Sequence, residues 1–324
     1  MAAGEFELIN HYLKPAPDEI LPDSVLLGIG DDAALIQPSV EQHLAVATDT
    51  LVADVHFPAT APADLIAERS LRVNLSDMAA MGAEPQWFTL SLTLPSEWDS
   101  ECRRDWVATF SRGLKACAKQ FGCVLIGGDT TQGPLSVGIH MLGQVPPAEA
   151  LRRDGAEPGD FVLVTGCLGD AAAALAVLDD DSTDSRSDYL RDRYYRPSPR
   201  VAEGQLLRKI ANSAQDISDG LLADLNHICQ ASDVAAELDL DQLPMSAALA
   251  EAGESDAVRL ATSGGDDYEL VFTVAAENMP ALAMLQAEGK LEATVIGRIV
   301  SGAGVHCQWQ GDVYQSSITG YQHF

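Results

Sequence analysis

Val124-Leu125-Ile126-Gly127-Gly128-Asp129-Thr130-Thr131 decides how this chain is read. Three consecutive apolar residues, two of them β-branched, predict a short buried strand. Two glycines and an aspartate then predict a turn, because Gly supplies unusual backbone angles and Asp bonds nearby N–H groups. The second half repeats the arrangement. Ala214 to Ile217 reads as a strand that delivers Asp216 and Asp219, and Leu221 to Gln230 follows as a helix.

Outward from these two points, strands and helices alternate. Phe6, Ile9 and Leu13 mark a short first helix, and His43 to Ala47 a strand running into Thr48-Asp49-Thr50. Helices are expected over 62–81 and 99–121, and strands over 86–94 and 136–145. After a Pro-, Ala-, Arg- and Gly-rich stretch at 146–159 come a strand at 161–165, a turn and helix over 166–178 and a helix over 199–210. Strands follow at 234–238, 270–274 and 294–299. The polar run at 179–188 (DDDSTDSRSD) reads as an exposed mobile loop. The fold class is therefore α/β or α+β with mixed sheets. Two domains are expected, 1–149 and 150–324.

Composition sets limits. The 324 residues include 47% hydrophobic and 21% charged residues, enough for a sizeable core without disulfides. The net charge of -28 repels nucleic acid and anionic membranes, so neither is expected as a partner. The six cysteines form no CxxC pair, which points to buried reduced thiols rather than zinc or disulfides. The first residues lack a basic, apolar signal segment, and no apolar run reaches the roughly 18 residues that span a bilayer. A cytoplasmic location is expected.

Short acidic motifs recur where a strand is expected to end: Gly30-Asp31-Asp32, Thr48-Asp49-Thr50, Gly127-Gly128-Asp129, Asp216-Ile217-Ser218-Asp219-Gly220 and Ser263-Gly264-Gly265-Asp266-Asp267. Asp77 is different, since it falls inside a helix. Any one motif alone is ordinary turn or cap chemistry. Together they suit a hard cation such as Mg²⁺, which takes carboxylate, phosphate and water oxygens. Converging carboxylates repel one another unless cations bind among them. Glycines beside them let phosphate approach the backbone. That combination serves phosphoryl transfer. The G-x-x-x-x-G-K-[ST] phosphate loop, the dinucleotide fingerprint, protein-kinase signatures, the G-x-S-x-G elbow and H-E-x-x-H are all missing from the sequence.

In order along the chain stand G-E-F-E-L-I at 4–9, G-I-G-D-D-A-A at 28–34, A-T-D-T-L-V at 47–52, N-L-S-D-M-A-A-M-G-A at 74–83 and G-G-D-T-T at 127–131. R-P-S-P-R at 196–200, D-I-S-D-G-L at 216–221 and S-G-G-D-D-Y-E-L at 263–270 continue the series. Together these strings resemble the thiamine-monophosphate kinase family, part of the superfamily of aminoimidazole-ribonucleotide synthetase and selenophosphate synthetase. The resemblance implies a two-domain aminoimidazole-ribonucleotide synthetase-like fold with mixed sheets. The N-terminal metal- and ATP-binding sheets would pair across a homodimer, and the C-terminal α/β domain would complete the site. It also implies in-line transfer of the γ-phosphoryl of ATP to thiamine monophosphate, the last step of thiamine diphosphate biosynthesis, with several Mg²⁺ ions.

Carried over by position, the resemblance gives Asp32, Thr48, Asp49, Asp77, Asp129, Asp216 and Asp219 as metal ligands, with Asp31 beside them. Gly128, Asp129, Arg153 and Ser218 match ATP contacts, and His56, Asp266 and Tyr321 match substrate contacts. Two departures stand out. Asp266 replaces a frequent Glu, and Ala47 replaces a frequent Ser or Thr. Read from the residues alone, Arg153 is equally a phosphate fork or a surface arginine. His56 reads as a packed loop histidine and Tyr321 as a docked tail aromatic. Other superfamily members fit less well. Residues 1–30 hold no cysteine of the selenophosphate synthetase kind, and the chain ends Tyr321-Gln322-His323-Phe324 rather than in a cysteine-bearing tail. A non-enzymatic acidic metal- or nucleotide-binding protein leaves the ordered set of motifs unexplained.

Overall fold

A computed structural model describes residues 5–15, 20–30, 32–180 and 182–315. The chain divides into two units, one of Met1–Met78 with Glu84–Pro147 and one of Ala79–Ala83 with Ala148–Phe324.

In the first unit, α1 (Glu5–Leu8) continues as a π-helical turn at Ile9–Leu13. β1 (Val25–Leu27) and β2 (Leu35–Ile36) form a small antiparallel pair. Then come β3 (His43–Val52), α2 (Ala63–Ala80), β4 (Glu84–Leu94), α3 (Ser100–Phe121), β5 (Val124–Gln132) and β6 (Ser136–Val145). The sheet order is β3-β6-β4-β5, and β4 and β5 are parallel because α3 carries the chain back between them. The α3 helix has both of its ends written in sequence. The Asp99 carboxylate accepts from the N–H groups of Glu101 (3.0 Å) and Cys102 (2.8 Å). Gly122, at φ +70°, closes the other end with its N–H on Ala118 O. Val107, Phe110, Leu114 and Ala118 form its buried stripe. Along β4 the alternation is clean, with Phe88, Leu90, Leu92 and Leu94 buried and Thr89, Ser91 and Thr93 half-exposed.

The second unit contains β7 (Phe161–Thr165), α4 (Asp170–Ala174), α5 (Ser185–Tyr195), α6 (Val201–Leu207), β8 (Ser213–Asp216), α7 (Leu221–Ser232), β9 (Ala235–Asp239), α8 (Ala247–Ala250) and α9 (Glu254–Ser263). β10 (Leu270–Val274), α10 (Met279–Ala287), β11 (Ala293–Val300), β12 (Gly304–Trp309) and β13 (Asp312–Tyr314) complete it. Its seven strands lie in the order β13-β12-β9-β11-β7-β10-β8, and only β12 and β9 are parallel. One core cluster joins Leu163, Ala214, Leu270, Phe272 and Val274 of the sheet to Leu207, Leu282 and Leu291. Fully burying each Leu, Val or Phe side chain among them contributes about 1.5–3 kcal/mol.

Four expectations need correction. β3 and β5 do not stop at their acidic motifs, so Asp49 and Asp129 lie within strands. Continuous pairing with β6 and β4, which local propensity does not register, carries both strands through. The polar run 179–188 is not all loop. Asp184 caps α5 by accepting from Arg186 N and Ser187 N, both at 3.0 Å, and the helix then buries Leu190, Tyr194 and Tyr195. The strands β12 and β13 were not anticipated. Nor are all the cysteines buried, since Cys102 is exposed and Cys167 half-buried. Among the described residues, no helix is long and apolar enough to cross a membrane.

Candidate functional site

In the first unit Thr48 and Asp49 lie on β3, His56 just after it and Asp77 on α2, whereas Gly128 and Asp129 lie on β5 at the other edge of the sheet. The Asp49 N–H donates to Asn74 Oδ1 at 3.1 Å, and Asn74 is anchored through its Nδ2 to Ser70 O at 3.0 Å. Asn74 is wholly buried and stands one turn before Asp77 on α2. The pairing of Asp49 with this side of the sheet is thus fixed by an amide inside N-L-S-D. Burial raises the Asp49 carboxyl above its ordinary value. Thr48 points to the other face and donates from Oγ1 to Ile139 O at 3.0 Å. Asp129 is exposed and pairs with Ser91. Gly128 before it, at φ +154°, lies so close to β4 that a Cβ would overlap the carbonyl of Leu90. Asp32 is exposed in the loop after Gly30. His56 is half-buried, and its Nδ1 accepts from Val52 N at 3.0 Å while its carbonyl accepts from Arg69 Nε at 3.2 Å.

In the second unit two motifs are laced together. Asp216 ends β8, paired with Leu270, and is only 8% exposed. After it, Ile217 N bonds to Glu269 O (2.8 Å), Asp266 N to Ser218 O (2.8 Å) and Tyr268 N to Ile217 O (2.9 Å). D-I-S-D-G and S-G-G-D-D-Y-E-L are therefore one substructure. It brings Ser218, Asp219 and Asp266 together, all three half-buried. To reach these bonds the chain accepts positive φ at Asp266 (+64°) and Tyr268 (+51°), conformations uncommon for residues other than Gly.

Several residues that hold this substructure carry no role in the sequence reading. Asp224, in the first turn of α7, accepts from the N–H groups of Ser218, Asp219 and Gly220. Burial, then the charge of Asp216, pushes its carboxyl up to about 7. Glu269 is wholly buried and accepts from Arg200 Nε (2.5 Å) and Nη2 (2.8 Å), Arg193 Nη2 (3.0 Å) and Thr165 Oγ1 (2.6 Å). Burial pulls both guanidiniums down, and the Glu269 carboxylate more than offsets it. Asp267 takes Gly169 N on both carboxylate oxygens, at 2.8 and 3.0 Å, and burial raises its pKa well above the ordinary value. The charged residues inside R-P-S-P-R and S-G-G-D-D-Y-E-L were the available signal for the Glu269 network.

Arg153 is placed apart from Ser218. Its segment meets the start of β8 through the bond from Ala214 N to Arg152 O, and its own carbonyl accepts from Ser232 Oγ, whereas Asp216 ends that strand. Asp31 and Tyr321 lie outside the described residues. Among the described residues, no three His, Cys, Asp and Glu side chains are grouped closely enough to hold a metal ion.

The two units match the models of the AIR synthase related proteins, the N-terminal domain over residues 30–145 and the C-terminal domain over residues 157–310. The chain is 47% identical to the thiamine-monophosphate kinase of Escherichia coli (strain K12) over 332 aligned residues, covering 100% of this chain and 99% of that one. The Haemophilus influenzae thiamine-monophosphate kinase is 42% identical, with 94% and 92% covered. Among solved structures, thiamine-monophosphate kinase from Stenotrophomonas maltophilia K279a superposes with a TM-score of 0.84 at 46% identity, over 97% of this chain and 99% of that one. AaThiL complexed with AMPPCP and TMP gives 0.78 at 31% identity, with 89% of each chain covered. Hydrogenase maturation protein HypE of E. coli, at 20% identity and a TM-score of 0.71, shares the fold. The chain belongs to the thiamine-monophosphate kinase family of AIR synthase related proteins.

Proposed function

We propose that this chain transfers the γ-phosphoryl group of ATP to thiamine monophosphate, giving thiamine diphosphate and ADP. The observation that carries the reading is the interlock of D-I-S-D-G with S-G-G-D-D-Y-E-L, in a chain 47% identical along its length to a thiamine-monophosphate kinase. An oxygen of the acceptor's phosphate attacks the γ-phosphorus. The bond from that phosphorus to the bridging oxygen breaks, and ADP leaves with its electrons. Such transfer needs positioning and charge stabilisation more than covalent work by the protein.

The donors suit Mg²⁺. Asp32, Thr48, Asp49, Asp77 and Asp129 in the first unit and Asp216 and Asp219 in the second offer hard oxygens. Burial, and then the charge of Asp216, raises the Asp224 carboxyl beside them. With no three such groups clustered, phosphate oxygens and water would complete the coordination. These carboxylates would hold Mg²⁺, which when bound would supply neutralisation of phosphate charge. Gly128 allows a phosphate close approach to the β5 backbone, Asp129, Arg153 and Ser218 contact the nucleotide, and His56, Asp266 and Tyr321 hold the acceptor. Asp266 faces the positive thiazolium, where a carboxylate is electrostatically apt.

A homodimer belongs to the same proposal. Leu44 and Val46, 45% and 68% exposed on β3, share one face of the first unit's sheet with Leu142, which pairs with Val46. An uncovered apolar sheet face calls for a partner. A cytoplasmic location suits an enzyme fed by ATP. The test is a product assay with ATP, Mg²⁺ and thiamine monophosphate, with thiamine as parallel acceptor and EDTA as control. Thiamine diphosphate should form only from the monophosphate and only with metal. Its absence with folded protein would overturn the proposal.

A further inference from the structure

We infer that Asp224 is a positioning residue that shapes the loop bearing Ser218 and Asp219, an inference that rests on the kinase reading above. Its Oδ2 accepts three successive backbone N–H groups, from Ser218 (3.0 Å), Asp219 (3.0 Å) and Gly220 (3.1 Å). Its Oδ1 accepts from Gln215 Nε2 at 2.8 Å. The carboxylate is 1% exposed, so these bonds meet no competition from water. The loop is thereby curled around one oxygen on its N–H side. On its carbonyl side, Ser218 O and Ile217 O are held by Asp266 N and Tyr268 N. One Asp224 oxygen is thus shared among three N–H groups, while the other takes the Gln215 amide.

The placement runs against simple electrostatics. A third acidic side chain under a loop that already carries Asp216 and Asp219 adds like charge. A purely structural plug would be better served by a neutral side chain. What the carboxylate provides is one point that fixes three peptide planes, and with them the spacing of Asp216, Ser218 and Asp219. Gly220, at φ +118°, then passes into α7 against the backbone of Ser263, 3.0 Å from where a Cβ would stand. The loop therefore has no slack on that side.

The arrangement leaves one loose end, which makes the inference testable. Gln215 Oε1 is buried with no hydrogen-bond partner among the described residues. Asp224→Asn can keep the three N–H groups on its oxygen and offer its Nδ2 to Gln215 Oε1 once that amide turns over. Asn is thus the shape-conserving variant and Ala the shape-destroying one.

The experiment uses the full chain as wild type, Asp224→Ala and Asp224→Asn. Three quantities are read: hydrogen exchange of the amides at 218–220, affinity for Mn²⁺ with AMPPCP, and kcat and KM with thiamine monophosphate. In the Ala variant, exchange at 218–220 should quicken by roughly 100-fold while the rest of α7 keeps its protection. Its kcat should fall by roughly 100-fold, as expected for a displacement near 1 Å at a reacting centre, with KM for the acceptor within about threefold of wild type. Its Mn²⁺–AMPPCP affinity should weaken by about tenfold. The Asn variant should recover kcat to within about tenfold of wild type. An Ala variant that is folded with unchanged exchange and metal–nucleotide affinity overturns the inference. So does an Asn variant as slow as Ala with its loop amides still protected, since the charge and not the geometry would then matter. If Ala does not fold, an Asn variant about 100-fold slower than wild type with its loop amides still protected overturns the inference, and one within about tenfold supports it. Wild type that makes no thiamine diphosphate defeats the kinase reading alone, and exchange and metal–nucleotide affinity still judge Asp224.

Discussion

Replacing Glu269 by Ala should destabilise the second unit by about 3 kcal/mol. Glu269 has no exposed surface, while the side chains of Arg193 and Arg200 are 14% and 18% exposed. Removing one member of a buried ion pair costs about 3–5 kcal/mol, because the remaining charge is left uncompensated. The lower end applies here. Arg193 still has Asp170 at 3.7 Å, and Arg200 still has Glu203 at 3.3 Å, so neither is abandoned. For a unit of this size each kcal/mol moves the midpoint by roughly 2–4 °C, so a fall of about 6–12 °C is expected. Thermal and urea unfolding followed by circular dichroism would measure it. A Glu269→Ala midpoint within about 2 °C of wild type would refute the reasoning.

Gly128→Ala should abolish thiamine diphosphate formation and lower the melting temperature, because its Cβ would overlap the Leu90 carbonyl at φ +154°; a variant with near-normal turnover would show that β5 can move away from β4. Asp267 titrates above its ordinary 3.8 because it is buried. The folded protein therefore holds its proton more tightly than the unfolded chain. Its contribution to stability is complete below about pH 3.8 and declines as pH rises through the raised folded value. Asp267→Asn should flatten that part of the profile of urea midpoint against pH, and an unchanged slope would argue against it. If the protein pairs through the proposed β3 face, Val46→Arg should leave a monomer in light scattering where wild type is a dimer, since it places a charge on that apolar face; a variant dimer of wild-type affinity would put the interface elsewhere.

The sequence carries the helices and most strands because their signals are local. The Asp99 cap, the Gly122 stop and the alternation of β4 all sit inside the elements they specify. Where the reading failed, the determinant lay far along the chain. β5 continues through Gly-Gly-Asp because residues 89–94 offer it partners, and no window around 127–129 contains that information. At 179–188 acidity outweighed a single capping aspartate, although Asp184, immediately before the Tyr-rich helix α5, was there to be weighed. In the site, Ser218, Asp219 and Asp266 were legible as motif residues. Their supports were not. Asp224 matters because its carboxylate curls a loop four to six residues back, and Glu269 because arginines 69 and 76 positions away converge on it.

The bonds that tie residues 217–218 to 266–269 mean that these two stretches share one stability. A fluctuation that frees one must free the other, so they should exchange their amide hydrogens as a single cooperative unit. The same tie constrains evolution and engineering. A chimera that borrows the S-G-G-D-D-Y-E-L segment from a relative inherits a surface cut to fit a particular D-I-S-D-G partner, and the two are best transplanted as a pair.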